Sequence, residues 1–324
     1  MKKIGLKHLN YLTDDFSIWQ HTKGSKIDRN HGYSLDDGAR ALLVALKFKD
    51  FKKAEIYLSF LEEAIGNGRF IIFYDKNRKP LIKPCSEDAL GEAYWALASC
   101  VENNFERERA EKIIAKIMPR ILTFNESRGM AYVIIGASQI DLFLSEYLIN
   151  QLLQKYKDNS ARDWNWLEDV LNYANAIIPL AFLVSAEALN RADLLECGLS
   201  MLDFLNKESK EKDFPITIGN KGWYWKFGKK AVFDQQPIDA AYQVLANTKA
   251  WEMTKNRKYL NEAKSYFGWF WGDNIVQMPV VGADDESCHD GLHCDGISED
   301  RGSESIVCYL LAQEEIWPHL QASK

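Results

Sequence analysis

An internal repeat constrains this chain more than any other feature of its sequence. Six times along 324 residues, an apolar run rich in small residues opens with acidic or amide side chains, and the openings are roughly 40 to 65 residues apart. The openings are YSLDDGAR at 33–40, CSEDALGE at 85–92, GMAY at 129–132, YANAIIP at 173–179, DQQPID at 234–239 and RGSES at 301–305. Such a repeat indicates helical hairpins that follow one another around a ring and gather their polar openings at one mouth.

Apolar residues recur at helical spacing behind each opening. The predicted helix pairs are 41–46 with 54–64, 88–101 with 109–122, 129–138 with 140–156, 176–190 with 192–206, 238–253 with 258–271, and 303–316 with the amino-terminal segment 6–20. The first helix of each pair is rich in Ala and Gly and the second in Lys, Glu and Arg, which favours a crowded inner layer and a solvated outer layer. Residues 70–74 and 214–218 are predicted as short strands in loops.

Composition narrows the class of protein. No Gly/Ser/Pro-rich linker divides the chain, so we expect a single domain over residues 1–324. With 40 basic and 46 acidic residues and no basic cluster, a nucleic-acid or membrane partner is not expected. The start lacks an apolar stretch of signal length, and the longest apolar run, 176–184, is about half a bilayer span. Six scattered cysteines suit a reducing compartment, so we predict a cytoplasmic protein without disulfides.

Acidic side chains stand in the first turns of the predicted inner helices. Capping and the helix dipole, worth roughly 0.3 to 1 kcal/mol each, explain such residues singly but not their accumulation at one mouth. Crowding separates the pKa values of neighbouring carboxylates, so that one serves as a general acid and another as a base or nucleophile, as glycosidic cleavage requires. The predicted catalytic candidates are Asp36, Asp37, Asp239 and Glu304, and Glu87 and Asp88 are candidates for substrate binding.

Other polar and aromatic residues near the openings are candidates for sugar binding. Arg40 lies one turn after Asp36 and can hold that carboxylate ionised. Gln236 and Tyr242 flank Asp239 and offer hydrogen bonds to hydroxyl groups. Tryptophans spaced by two residues offer flat faces for sugar rings, and the candidates are Trp164, Trp166, Trp223 and Trp225.

The segment CHDGLHCD at 288–295 has the residue types of a metal site. Its spacing matches no common zinc module, so we predict neither a metal nor a cofactor. A Gly-containing loop that presents Asp290 or His293 to a ligand is favoured instead. Phosphate-cradling loops, nucleophile elbows and HExxH helices are absent from the sequence.

The segment HGYSLDDGARAL at 31–42 resembles the opening motif of the (α/α)6 toroid proteins that are fused to or encoded beside glycosyltransferases and mannoside phosphorylases. Later segments are similar to that family in the same order: SEDALG at 86–91, WNWLED at 164–169, NYAN at 172–175, DQQPIDA at 234–240, DGL at 290–292 and GSES at 302–305. The resemblance covers about residues 10 to 313. It departs at DRGSESI, 300–306, where the family often has NQGAEST.

The resemblance implies an (α/α)6 toroid, a six-hairpin glycosidase-like fold, and carbohydrate chemistry. It adds Glu168, Tyr173 and Asn175 to the substrate-binding candidates, because they lie in the matching segments. It also implies a glycosyltransferase or phosphorylase of the same pathway as a partner.

Three functions follow as alternatives. The first is a glycoside hydrolase acting on an oligosaccharide or glycan through a carboxylate pair. The second is a sugar 2-epimerase or isomerase using His31 and His293 for proton transfer beside a carbonyl. The third is a non-catalytic glycan-binding partner of a glycosyltransferase. Sugar identity, linkage, stereochemical outcome and oligomeric state do not follow from the residues.

Overall fold

Twelve α-helices dominate the computed structural model, which describes residues 1–66, 68 and 70–321. In chain order they are α1 Lys7–Leu12, α2 Leu35–Lys47, α3 Phe51–Gly66, α4 Glu87–Glu102, α5 Arg107–Ile121, α6 Ser127–Ile140, α7 Leu142–Asn159, α8 Ile177–Leu189, α9 Ala192–Glu208, α10 Pro237–Thr254, α11 Arg257–Phe270 and α12 Ser303–Gln321. The even-numbered helices pack side by side in the order α2, α4, α6, α8, α10, α12, and α12 packs on α2 to close the ring.

The outer layer has one helix behind each inner helix. Helices α3, α5, α7, α9 and α11 pack on the inner helix that precedes them, and α1 packs on α12. Because every hairpin turns back on itself, all six inner helices run in the same direction and their amino termini meet at one mouth. The chain is thus an (α/α)6 toroid, as predicted, with the amino-terminal segment supplying the sixth outer element.

Side-chain size explains the crowding of the inner ring. Ala39, Ala93 and Ala240 are fully buried where inner helices meet. The closest approach joins α4 to α6, where a Cβ atom added to Gly91 would lie 2.5 Å from the carbonyl oxygen of Gly129. Helix backbones can pack this closely only because small residues line the contact.

Strands are confined to pairs of residues in the loops. They are β1 Thr22–Lys23, β2 Lys26–Ile27, β3 Tyr33–Ser34, β4 Phe73–Tyr74, β5 Pro80–Leu81, β6 Val170–Leu171, β7 Lys210–Glu211, β8 Phe214–Pro215, β9 Tyr224–Trp225, β10 Val281–Gly282, β11 Ser287–Cys288, β12 Leu292–His293 and β13 Gly296–Ile297. All pairings are antiparallel, and β3, β4 and β5 form the largest sheet. The pair β6–β9 ties the loop before α8 to the loop before α10.

The two strands predicted from sequence are shorter than expected, for local reasons. Phe70 has a left-handed backbone, φ 46°, so the extended segment begins only at Phe73. Beyond Pro215 the hairpin keeps one backbone hydrogen bond, from the Ile216 N–H to the Ser209 oxygen at 3.1 Å, but β8 itself ends at Pro215. No helix in the described part of the chain has the length and apolarity to cross a membrane.

The contact between α4 and α6 yields a stability prediction. A Cβ atom on Gly129 would lie 2.8 Å from that of Glu87, and backbone atoms also block Gly91. We expect Gly91→Ala and Gly129→Ala each to lower the free energy of unfolding by about 1–3 kcal/mol, the usual cost of overpacking. Urea denaturation measures the effect. Gly66→Ala is the matched control, because a Cβ atom there would have as its nearest neighbour the flexible Lys116 side chain, at 3.9 Å. Equal stability of all three variants would contradict the packing.

Candidate active site

A cavity of about 450 Å³, the central cavity, opens between the amino termini of the inner helices. Its polar lining includes the carboxylates of Asp36, Asp88, Glu92 and Glu304 and the guanidinium of Arg40. Aromatic side chains form part of its wall, and these are Phe73, Tyr132, Tyr173 and Trp223. Concave sites with a few convergent polar groups and apolar walls are where small ligands bind.

A smaller pocket of about 210 Å³, the rim pocket, adjoins the central cavity. Both spaces are lined by Asp36, Gln236 and Glu304, so these side chains lie at their junction. The rim pocket adds Asp37 and Asp290, together with Gln20, His21, Gly302 and Ser305. Two carboxylates therefore lie at the boundary between the two spaces.

Arg40 is the centre of the acidic cluster. Its side chain is only 4% exposed, and its Nη1 lies 3.1 Å from Asp37 Oδ1 and 3.2 Å from Glu304 Oε2. Its Nη2 lies 3.3 Å from Asp36 Oδ2, and its Nε lies 3.0 Å from Glu92 Oε2. One guanidinium thus holds four carboxylates supplied by α2, α4 and α12.

Local sequence places Asp37 in this cluster. Ser34 is the N-cap of α2, and its Oγ accepts a hydrogen bond from the Asp37 N–H at 3.3 Å and donates one to Asp37 Oδ2 at 2.8 Å. This capping arrangement fixes the first turn of the helix. Arg40, one turn later on the same face, therefore reaches both aspartates.

Burial and mutual repulsion keep part of the cluster protonated. Desolvation, aided by the charge of Asp36, raises the pKa of Asp37 to about 7. Burial also raises the pKa of Glu92 well above its usual value and, to a smaller extent, that of Glu304. A single positive charge cannot neutralise four carboxylates, so the cluster holds protons at neutral pH.

A second buried arginine shapes the opposite part of the wall. Arg128 Nε donates to the backbone oxygen of Tyr173 at 2.6 Å, and its Nη1 and Nη2 contact Glu168 and Asn175 at 2.8 and 3.0 Å. The guanidinium also lies 5.0 Å from the centre of the Tyr173 ring. Tyr173 Oη in turn donates to Asp88 Oδ2 at 2.5 Å.

The rim pocket contains a carboxyl group and an imidazole. Asp290 Oδ1 accepts hydrogen bonds from the backbone N–H of Gly302 at 2.5 Å and from Ser305 Oγ at 2.7 Å. Burial nevertheless raises the pKa of Asp290. Burial, together with the charge of His31, lowers the pKa of His21, so this imidazole is neutral at pH 7.

Two of the predicted acidic site residues lie outside both spaces. Asp239 lines a separate void of about 10 Å³, where the backbone N–H groups of Ala174 and Asn175 donate to its carboxylate. Glu87 Oε2 accepts from the backbone N–H groups of Asn125 and Glu126 at 2.8 and 2.7 Å, at the start of α6. Both carboxylates satisfy backbone donors, so their predicted contact with substrate has no geometric support.

The four tryptophans predicted to stack on sugar rings lie in three different environments. Trp223 lines the central cavity, with its ring 6.3 Å from that of Tyr173. Trp164 and Trp166 are 2% and 0% exposed, because they pack in the hydrophobic core beneath β6 and β9. Trp225 is 57% exposed on β9 and lines neither space. The placement of Trp164 and Trp166 in the core corrects the prediction that they bind substrate.

Three further candidates support the wall instead of lining it. Glu168 pairs with Arg128, and Asn175 accepts from Arg128 and from the backbone N–H of Asn172 at 3.0 Å. Tyr242 is fully buried with its ring 5.9 Å from that of Tyr132, which does line the cavity. These side chains lie behind the residues that a ligand would touch.

The imidazoles predicted for an epimerase are not gathered in the cavity. His31 has a side chain that is 54% exposed and lies 3.7 Å from Asp28. His293 Nδ1 lies 3.0 Å from Asp234 Oδ2, and its side chain is partly exposed. Neither histidine lines the central cavity or the rim pocket.

Sequence reasoning missed several residues that the fold brings to the site. Glu92 follows Asp88 by four positions, so both side chains lie on one helix face, and this spacing could have identified Glu92. Arg128 is a charged residue in the first turn of an apolar helix, and that unusual position could have identified it as well. Tyr132 and His21 carry no such pattern, since one is an ordinary core tyrosine in sequence and the other lies in an irregular loop.

Comparison with known proteins supports the fold and does not identify a family. No protein-family model matches the chain, and no curated protein matches it. Several solved structures, however, match the chain over most of its length. A D-mannose isomerase superposes with a TM-score of 0.72 at 10% identity, covering 97% of this chain and 96% of that one. The cellobiose 2-epimerase of Bacillus thermoamylovorans gives 0.71 at 13% identity, with 98% and 96% covered.

Hydrolases share the fold as well. An α-1,6-mannanase of a Salegentibacter species, an inactive variant with two consecutive aspartates replaced by asparagine and in complex with α-1,6-mannotriose, gives a TM-score of 0.63 at 10% identity, with 96% of each chain covered. Identities this low establish a common six-hairpin (α/α)6 toroid and nothing finer.

The buried carboxyl of Asp239 yields a prediction for stability against pH. Burial raises the pKa of Asp239 from 3.8 to about 8, so between these values the native state keeps a proton that the unfolded chain releases. Stability contributed by this group is therefore present at low pH and lost as pH rises toward 8. We expect Asp239→Asn to remove this loss and to be more stable than wild type at pH 9 by at least about 1 kcal/mol, the equivalent of one pKa unit.

Urea denaturation at pH 5 and pH 9 measures the difference, and the exposed Asp213 provides the matched Asp213→Asn control. The stability gap between the variant and wild type should be smaller at pH 5 than at pH 9, because less of the loss has occurred at pH 5. An identical pH dependence in wild type and Asp239→Asn would contradict the buried, protonated state.

Proposed function

We propose that this protein is a glycoside hydrolase that cleaves an oligosaccharide or glycan at the junction of the central cavity and the rim pocket. One observation carries the proposal: Asp36 and Glu304 line both spaces. A sugar chain lying in both would pass between these side chains, with a glycosidic bond beside them. Paired carboxylates beside the scissile bond are the machinery of most glycosidases.

The electrostatics of the cluster support two chemical roles. Asp36 Oδ2 lies 3.3 Å from Arg40 Nη2, a contact with a positive charge that suits a carboxylate acting as base or nucleophile. Burial raises the pKa of Glu304 and of Asp88, which favours a protonated partner able to act as general acid. Both protonation states that hydrolysis needs are thus available in one cavity.

The walls support a sugar as the ligand. Tyr173 and Trp223 present tilted rings on one side of the cavity, a surface suited to stacking against a pyranose face. Gln236, Asn220 and Ser86 add amide and hydroxyl groups for hydrogen bonds to sugar hydroxyls. The partnership with a glycosyltransferase or phosphorylase stays a prediction from the sequence resemblance.

Substitution of the junction carboxylates tests the proposal. We expect Asp36→Asn and Glu304→Gln each to lower kcat on the substrate by about 10²–10⁴-fold, the usual contribution of acid–base groups, with little change in size or fold. Release of reducing sugar from a panel of mannosides and glucosides measures the rate. Glu299→Gln is the matched control, since Glu299 is exposed in the loop before α12 and lines neither space.

Undiminished turnover in both junction variants would remove these residues from the mechanism. Tight binding of a glycan that stays intact in the wild-type protein after long incubation would instead favour a non-catalytic glycan-binding protein.

One observation favours a second function, a sugar 2-epimerase or isomerase. His21, and neither His31 nor His293, lines the rim pocket beside Asp290 and Glu304. Its neutral imidazole can accept a proton from the carbon beside the carbonyl of an open-chain sugar, and a neighbouring carboxyl can return one.

Heavy water distinguishes the two functions. An epimerase acting on a reducing disaccharide would introduce deuterium at carbon 2 without releasing a monosaccharide, and His21→Gln would lower that exchange at least 10²-fold. A hydrolase would release monosaccharide without deuterium at carbon 2. Mass spectrometry of the products reads both outcomes.

A further inference from the structure

Asp88 differs from every other carboxylate of the central cavity. Asp36, Glu92 and Glu304 all lie within 3.3 Å of Arg40 nitrogens. Asp88 has no Lys, Arg or His nitrogen within ion-pair distance among the described residues. Asp88 is therefore the carboxyl group of the central cavity that has no positively charged side chain beside it to favour its ionised form.

The two oxygens of Asp88 have different surroundings. Oδ2 accepts the short hydrogen bond from Tyr173 Oη, at 2.5 Å. Oδ1 is shielded from solvent and has no hydrogen-bond partner. A half-buried carboxyl group with one oxygen anchored and one shielded and unpartnered is arranged to present a proton to a ligand, because an unsatisfied shielded oxygen costs free energy until a ligand meets it.

Tyr173 is held rigidly enough to position Asp88. Its backbone oxygen and ring both contact the buried Arg128. The following residue, Ala174, has a left-handed backbone with φ 50°. Asn175 Nδ2 donates to the Asn172 backbone oxygen at 2.6 Å and closes the loop 172–175. The tyrosine therefore does not have to be ordered by the ligand.

We propose that Asp88 is a further catalytic residue, the general acid, and that Tyr173 is the positioning residue that orients its carboxyl group. This inference rests on the proposed hydrolase function. Asp88 gives its proton to the glycosidic oxygen as the bond from that oxygen to the anomeric carbon breaks. A water molecule bonds to the anomeric carbon, and its proton passes to the ionised carboxylate held by Arg40, so that the sum of the step is addition of water.

The charges around Asp88 are mixed. The charged and titratable groups that act on it are Arg40 of α2, Glu92 of its own helix, Arg128 and Tyr132 of α6, Glu126 just before that helix, and Glu168 and Tyr173 before α8. Burial is the largest influence and raises the pKa of Asp88, while the Tyr173 hydrogen bond lowers it. Tyr173 thus tunes the acid as well as orienting it.

Leaving-group dependence distinguishes a general acid from a structural carboxylate. We expect Asp88→Asn to lose about 10²-fold or more in kcat on glycosides with sugar or alkyl leaving groups, which need protonation. On a 2,4-dinitrophenyl glycoside, whose leaving group departs without a proton, the loss should be less than about 10-fold. Equal losses on both substrates, or no loss on either, would overturn the assignment.

The tyrosine is tested by its pH profile. Tyr173→Phe keeps the ring but removes the donor, so the pKa of Asp88 rises and the alkaline limb of kcat/KM moves to higher pH. Tyr147→Phe, an exposed tyrosine on α7, is the matched control and should leave the profile unchanged. A Tyr173→Phe profile that coincides with wild type would overturn the positioning role.

A titration without turnover separates this inference from the proposed function. Carbon-13 NMR of protein labelled at aspartate carboxyls, with Asp88→Asn used to assign the signal, follows protonation of Asp88 directly. A higher titration midpoint in Tyr173→Phe supports the coupling even if no glycan is hydrolysed. An unchanged midpoint contradicts it even if hydrolysis is found.

Discussion

The desolvated guanidinium of Arg40 is the interaction on which the mouth of this toroid depends. It lies among four carboxylates contributed by α2, α4 and α12. These are the first, second and last inner helices, so the same contacts cross the seam at which the ring closes. A buried charge is tolerated only when it is paired, and breaking such a pair costs about 3–5 kcal/mol. The contacts that close the ring therefore also assemble the acidic part of the cavity.

Four carboxylates surround one guanidinium, so the cavity can hold carboxyl groups in both protonation states. If Arg40 met a single acid, both partners would be fixed in their charged forms. With four acids around it, some stay ionised and others take up protons, as the raised pKa of Asp37 and Glu92 indicates. Proton donors and acceptors then coexist within a few ångströms. Hydrolysis and epimerisation, the two chemistries proposed for this cavity, both need that pairing.

The sequence predicted the ring well because its information is periodic. Helical spacing and small residues specify which faces are buried, and hairpin order specifies the neighbours. It predicted the site less well, because adjacent residues on a helix diverge by about 100° and only packing decides which one faces the cavity. Glu87 thus binds the backbone N–H groups of Asn125 and Glu126 just before α6, while Asp88 lines the cavity. Trp164 and Trp223 look alike in sequence, yet one fills the core and the other forms a wall.

Two buried arginines have different roles around the cavity: one sets its charge and the other fixes its shape. Arg40 binds the acids themselves, so its loss would change charge at the junction directly. Arg128 binds the loop 172–175 and Glu168, and so fixes where the Tyr173 ring and hydroxyl lie. Asp239 supports the same loop from below through the N–H groups of Ala174 and Asn175. The conformation of this loop is thus fixed by groups that do not line the central cavity, so Tyr173 and the Asp88 carboxyl group it contacts have a defined geometry at the cavity wall.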